Sequence, residues 1–232
     1  VDDATHYLEF ARAFVRGRLG LDHDLDDDAL WRAAAAADLR LHKFKRTGPL
    51  PRVVHVLGAL RGLEPTSILD VGSGRGVFLW PLLDTIRNVA VTAVDREPHR
   101  AVDLQAVAAG GITRLAAHQA DAAALPFPSA SFDVVTVLEV LEHVDAPERV
   151  AREILRVARR FVVASVPSHP DDNPEHLRLF DAEGLTRLFR DAGAARVQVD
   201  FVHNHMLATI SVDVPGQVSP HAARRGLASP TR

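Results

Sequence analysis

The chain has no cysteine, which excludes disulfide staples, thiol nucleophiles and thiolate metal sites. Lysine is scarce as well. Lys43 and Lys45 stand together in Arg40-Leu41-His42-Lys43-Phe44-Lys45-Arg46, and arginine carries the positive charge elsewhere. No apolar run approaches the ~20 residues needed to cross a bilayer, and the acidic start Val1-Asp2-Asp3 lacks the features of a signal peptide. A cytoplasmic location without a membrane partner is therefore expected. A net charge of −3 argues against a chain that grips nucleic acid over its whole surface. There is no internal repeat and no zinc-finger spacing. What is present suits one sizeable core: 232 residues, 47% hydrophobic and 25% charged.

The most informative segment is Ser67-Ile68-Leu69-Asp70-Val71-Gly72-Ser73-Gly74-Arg75-Gly76, a short apolar strand running into a glycine loop and then a helix. Glycines at alternate positions let the backbone turn tightly and approach a ligand, and a helix start offers unpaired N–H groups. An adenosine-bearing cofactor is the natural guest. The dinucleotide fingerprint needs its third glycine three positions after the second, where this chain has Val77, so the spacing points away from NAD. A second apolar strand, Val89 to Val94, ends in Asp95, where a carboxylate can accept both ribose hydroxyls of an adenosine.

On these residues the chain resembles the class I S-adenosylmethionine-dependent methyltransferases, whose first motif is an acidic residue followed by G-x-G-x-G. The resemblance runs over residues 66 to 213. It extends through His118-Gln119-Ala120-Asp121 at the end of a third strand and through Leu125-Pro126-Phe127-Pro128 to Phe132-Asp133, which lead into a fourth. It implies that S-adenosylmethionine lies over the first two strand ends. Asp70, Gly72, Ser73, Gly74 and Gly76 would cradle its methionine and ribose, Asp95 and Arg96 the ribose hydroxyls, and Asp121 and Ala122 the adenine. Glu139, at the end of the fourth strand, completes the cofactor set.

Acceptor chemistry falls to the run Glu139-Val140-Leu141-Glu142-His143, whose ligand-type residues recur at i, i+3 and i+4 and would share one face of a helical turn. Oxygen and imidazole donors suit Mg²⁺, Mn²⁺ or Zn²⁺. The segment resembles that of the small-RNA 3′-terminal ribose 2′-O-methyltransferases, where Glu-x-x-Glu-His and a later His hold a metal, and that of quinone-biosynthesis O-methyltransferases. Glu139, Glu142, His143 and His176 fall on that pattern, although the gap between His143 and His176 is shorter than in the RNA enzymes. The alternative is a metal-free pocket in which His143 is the base, with His169 and His176 as further candidates. The expected acceptor is a hydroxyl of a small molecule, with an RNA terminus as the alternative. The Asn/Asp-Pro-Pro-aromatic motif of amine methylation is absent. Outside this class stand a NAD-dependent oxidoreductase and a non-catalytic cofactor-binding subunit. His203 and His205 read as a polar turn.

Hydrophobic periodicity gives an α/β chain with a doubly wound, mainly parallel seven-stranded sheet, helices on both faces and a C-terminal antiparallel hairpin. Helices are expected at 4–17, 27–45, 49–62, 76–86, 98–109, 147–158 and 181–192. Strands are expected at 67–71, 90–94, 115–119, 133–138, 161–166, 196–202 and 206–213. Residues 1–64 form an N-terminal helical cap within the same domain, 65–214 the core and 215–232 a tail. The basic segment 40–46 either meets an anionic group of the substrate or is a solvated helix end. Arg149, Arg152, Arg156 and Arg159 read as a solvated helix face.

Overall fold

The computed structural model describes residues 4–46, 48, 50–170 and 172–212; the tail expected at 215–232 lies outside them. The cap comprises α1 (Leu8–Leu19), α2 (Asp27–Ala36) and α3 (Pro51–Leu63). Then follow β1 (Ser67–Val71), α4 (Leu79–Thr85), β2 (Ala90–Asp95), α5 (Pro98–Ala109), β3 (Leu115–Gln119) and β4 (Phe132–Leu138). The chain closes with α6 (Pro147–Val157), β5 (Ala158–Pro167), α7 (Ala182–Asp191), β6 (Arg196–Val202) and β7 (His205–Ser211).

The strands lie in the order β3-β2-β1-β4-β5-β7-β6. All neighbours are parallel except β7, which runs antiparallel to β5 and β6 and enters between them. The chain order reverses between β1 and β4, and ligands of such sheets bind in the crevice at the strand ends beside that point. β4 is buried along nearly its whole length, and its sequence FDVVTVL is mostly apolar without strict alternation, its polar Asp133 and Thr136 being hydrogen-bonded. Helices α1, α2, α3, α4 and α5 cover one face of the sheet. The other is covered by α6 and α7.

The helix expected over 27–45 is divided. Asp26 caps α2 by accepting from the Ala29 N–H at 2.8 Å, but α2 stops at Ala36. Asp38 turns left-handed (φ 50°) and the Leu39 N–H closes back on the Ala34 carbonyl at 2.9 Å, a Schellman-type end. The turn frees the chain to bring Phe44, fully buried, against Phe14 and Trp80 with ring centroids 5.4 and 5.1 Å apart. Trp80 also stacks on Phe10 at 5.5 Å. Cap and sheet therefore share one apolar core.

Two cations of the basic segment turn inward, while Arg40, His42 and Lys45 are exposed. Lys43 pairs with Asp103 of α5 and lies over the Phe14 ring, while Arg46 pairs with Asp84 of α4 at 3.0 Å and covers the Tyr7 ring. Two of the four arginines read as a solvated face are likewise engaged. Arg156 bonds Glu153 and the Leu125 and Phe127 carbonyls, and Arg159 bonds Asp133 at 2.7 Å.

Candidate functional site

The glycine loop is tied to the neighbouring strand by backbone bonds. The Gly72 and Ser73 N–H groups donate to the Val94 carbonyl at 2.8 and 3.2 Å. The clearance that glycine provides is taken up by protein at two of its three positions. A Cβ on Gly72 would stand 2.4 Å from Val140 Cγ2, and one on Gly76 would stand 2.1 Å from Trp80 Nε1. At Gly74 the nearest heavy atom is 3.8 Å away, so this is where the loop backbone lies open to a ligand. The helix expected from residue 76 begins only at Leu79 and is seven residues long, because the Trp80 indole turns back to donate to the Lys43 and Arg75 carbonyls.

Asp70 and Asp95 sit on either side of this loop, both buried. Asp95 serves the fold on both oxygens: Oδ2 accepts from the Gly74 N–H at 2.8 Å and Oδ1 from the Glu97 N–H at 2.9 Å. A carboxylate has about four lone-pair directions, so ribose hydroxyls can share it. Asp70 Oδ1 accepts from Thr136 Oγ1 at 2.7 Å, whereas Oδ2 is buried with no hydrogen-bond partner. Burial pushes the Asp70 carboxyl up to about 6, with the nearby Asp95 charge adding to the rise. An orphaned acidic oxygen beside an open backbone position fits the donor groups of an amino-acid-bearing cofactor. Further along the edge, Asp121 is exposed and accepts from the Ala123 N–H at 2.8 Å, closing a turn through the half-buried Ala122. Arg96 is exposed beside Glu97.

Beyond β4 the four-ligand set expected from the sequence does not assemble. Among the described residues, Glu142, His143 and His176 bring ligand atoms within 4.8 Å of one another; Glu139 is not part of that group. The helical turn that would have aligned them begins too late, at Leu141. Glu139 instead adopts a left-handed conformation, φ 57°. Its carboxylate accepts from Ser165 Oγ at 2.6 Å and meets His205 Nε2 at 3.1 Å. His143 points Nδ1 at the Glu175 carbonyl, 3.0 Å away, which leaves Nε2 toward the buried Glu142 at 4.0 Å. The His143 and His176 rings meet edge to face at 4.7 Å. His169 is exposed, with Nδ1 2.8 Å from Ser168 Oγ. His205, read from the sequence with His203 as a polar turn, instead opens β7 and pairs with Glu139. The antiparallel return of β7 sets it opposite Pro167 at the end of β5, and so beside Glu139.

A glycine loop at the switch point of a sheet ordered in this way, with the last strand antiparallel, defines a class I methyltransferase fold. Residues 69–161 match the family model described as "Methyltransferase domain". A Mycobacterium tuberculosis (strain H37Rv) protein named as a probable S-adenosylmethionine-dependent methyltransferase is 33% identical over 138 residues, 54% of this chain and 47% of that protein. The 27-O-demethylrifamycin SV methyltransferase of Amycolatopsis mediterranei is 38% identical over 95 residues, 40% of this chain and 34% of the relative. A solved S-adenosylmethionine-dependent methyltransferase from Aquifex aeolicus superposes with a TM-score of 0.58 at 18% identity, over 67% of this chain and 88% of that one, and shares the fold. The chain thus has the fold of these methyltransferases, and residues 69–161 are similar to the methyltransferase domain family. It spans less than half the length of the two curated relatives.

Proposed function

We propose that this chain binds S-adenosylmethionine across the ends of β1 and β2 and transfers its methyl group to a hydroxyl oxygen of a small molecule held over the ends of β4 and β5. The observation that carries the reading is the unpartnered, buried Oδ2 of Asp70 beside the open backbone of Gly74. The Amycolatopsis relative, whose name places its reaction at an oxygen, supports the acceptor atom. When bound, the cofactor supplies a methyl carbon already made electrophilic by its sulfonium. What remains for the protein is to align acceptor, carbon and sulfur and to remove one proton. In this reading Asp95 and Asp121 hold the adenosine, with Arg96 and Ala122 lining its edge, while Gly72, Ser73, Gly74 and Gly76 shape the loop beneath the methionine portion.

Titration calorimetry with S-adenosylmethionine tests the assignment. Asp95→Ala removes both the ribose acceptor and the anchor of Gly74, and the affinity is expected to fall by roughly 1–3 kcal/mol. Unchanged affinity would remove the adenosine from this edge.

A second reading has its own observation, the grouping of Glu142, His143 and His176. Two imidazoles and a carboxylate are a donor set for Zn²⁺ or Mn²⁺ more than for Mg²⁺. Such an ion would acidify an acceptor hydroxyl, including one of a vicinal pair at an RNA terminus. Metal analysis of the purified protein separates the readings. A stoichiometric ion that is lost in His176→Ala supports the second, and turnover by metal-free protein, insensitive to chelator, removes it.

A further inference from the structure

We propose that Glu139 receives the proton of the acceptor hydroxyl during methyl transfer, and that His205 is the positioning residue that holds its carboxylate in place. This rests on the methyl-transfer reading above and names the chemistry of its acceptor end.

Glu139 is the residue immediately after β4, at φ 57°. A non-glycine residue in this region costs on the order of 1 kcal/mol and persists where its surroundings over-determine it, commonly at functional sites. The surroundings are specific here. The Glu139 N–H donates to the Ser165 carbonyl at 3.0 Å, Ser165 Oγ donates to Oε1 at 2.6 Å, and His205 Nε2 meets Oε2 at 3.1 Å. The other ring nitrogen of His205 stands 3.0 Å from the His203 carbonyl. Both oxygens of the Glu139 carboxylate thus have a partner, one from β5 and one from β7.

Its position is that of a reacting group. Val140, the next residue, fills the space over Gly72, so Glu139 stands one residue along the chain from the glycine loop's neighbour. By the two-residue alternation of strands, Ser165 lies on the same face as Val163 and His205 on the same face as Leu207. That is also the face of Ile68 and therefore of Asp70. Glu139 and His205 keep 24% and 20% of their side chains exposed, so an acceptor can reach them.

The step balances without a further reactant. A lone pair of the acceptor oxygen forms the new C–O bond while the C–S bonding pair leaves on sulfur. The oxygen gains positive charge, its O–H becomes strongly acidic, and a carboxylate suffices to take the proton. The O–H bonding pair stays on oxygen, and the products are the methyl ether, S-adenosylhomocysteine and protonated Glu139. The pair thereby takes the proton-accepting role that the sequence suggested for His143, and an anion at this point favours alcohols and phenols over carboxylate acceptors.

The test needs no acceptor. Sinefungin carries an ammonium group where the sulfonium methyl stands, so a carboxylate facing that methyl should bind it, while S-adenosylhomocysteine lacks the group. Calorimetry on wild type and Glu139→Gln is expected to show sinefungin weakened roughly ten- to hundredfold, the worth of a charge-assisted hydrogen bond. S-adenosylhomocysteine, which also reports that the variant is folded, should weaken far less, so that the ratio of the two affinities changes. His205→Asn should move the ratio in the same direction by less, and it serves as the readout should Glu139→Gln not fold. Equal weakening of both ligands, or sinefungin affinity untouched in both variants, overturns the inference while leaving the cofactor reading intact. Failure of wild type to bind either compound overturns both.

Discussion

Asp70 and Asp133 show how two buried carboxylates on neighbouring strands come to opposite electrostatic ends. Asp133 accepts from the Thr66 N–H and hydroxyl and from Arg159. Burial alone would raise its carboxyl, but these partners outweigh it and hold it below the ordinary value. At Asp70 the Ser73 and Thr136 hydroxyls pull downward, but burial outweighs them and pushes the carboxyl up to about 6. For Asp70 the folded value lies above the unfolded one, so the folded state binds more protons between about 4 and 6. Its contribution to stability is full at lower pH and is lost as pH rises through about 6. Two units correspond to roughly 3 kcal/mol. Asp70→Asn keeps an acceptor for Thr136 and removes the charge, so urea unfolding is expected to show the variant more stable than wild type at pH 7.5, by about 1–3 kcal/mol, with the difference closing near pH 4. An equal difference at both values would mean that Asp70 is not desolvated as described. The strand-end places of Asp70 and Asp95 were legible in the sequence because each closes an apolar run, Asp70 just ahead of the glycine loop and Asp95 ahead of Arg96-Glu97-Pro98. His205 was not, because its role depends on which strand β7 lies beside, and hairpin spacing alone does not reveal that neighbour.

The crossing of α1 over α5 is made by small residues. A Cβ on Gly17 would stand 1.9 Å from the Ala106 carbonyl oxygen, and one on Gly110 would stand 1.8 Å from the Ala13 carbonyl oxygen. The two helices thus meet backbone to backbone at both ends of the contact. Alanine in a helix is ordinarily worth about 1 kcal/mol over glycine, and an exposed position should realise that gain. Gly58 in α3 has nothing within 4 Å of a Cβ. Gly58→Ala is therefore expected to stabilise by roughly 0.5–1 kcal/mol, and Gly17→Ala to destabilise by about 2 kcal/mol because overpacking against a main chain cannot relax by rotamer change. Thermal melts of the two variants should move in opposite directions; a gain in both would sink the close crossing. Both helices were foreseen from their periodicity, α5 with the same bounds. Their contact was not, since a glycine inside a helix reads as a weak point until the neighbour that needs it is known. The division of 27–45 was hidden for a related reason: Asp38 carries no glycine signal, and what bends the chain there is the burial of Phe44.

At the scale of the whole molecule, the question is whether residues before β1 are a lid or part of the body. A lid would carry an exposed polar seam against the sheet; here the seam is the core itself. Phe10, Phe14, Leu30, Phe44, Val56 and Leu60 from the cap lie in one cluster with Trp80, Leu82, Ile68, Val134 and Leu207. The ion pairs Lys43–Asp103 and Arg46–Asp84 border the joint, but partly exposed pairs are worth at most about 1 kcal/mol each. Emptying the Phe44 site is worth several times that. Phe44→Ala should cost roughly 3–5 kcal/mol through lost burial and the cavity left between Phe14 and Trp80. Since the loss falls on a core common to cap and sheet, it should lower the midpoint of one cooperative transition rather than melt the cap alone. The two tryptophans report the two parts: Trp31 lies on α2 and Trp80 on α4. In Trp80→Phe, the fluorescence of Trp31 and the far-ultraviolet circular dichroism of the whole chain are expected to follow a single curve, with and without Phe44→Ala. A Trp31 transition at lower denaturant than the dichroism would show a cap that unfolds by itself, and the core that cap and sheet share would then divide at β1.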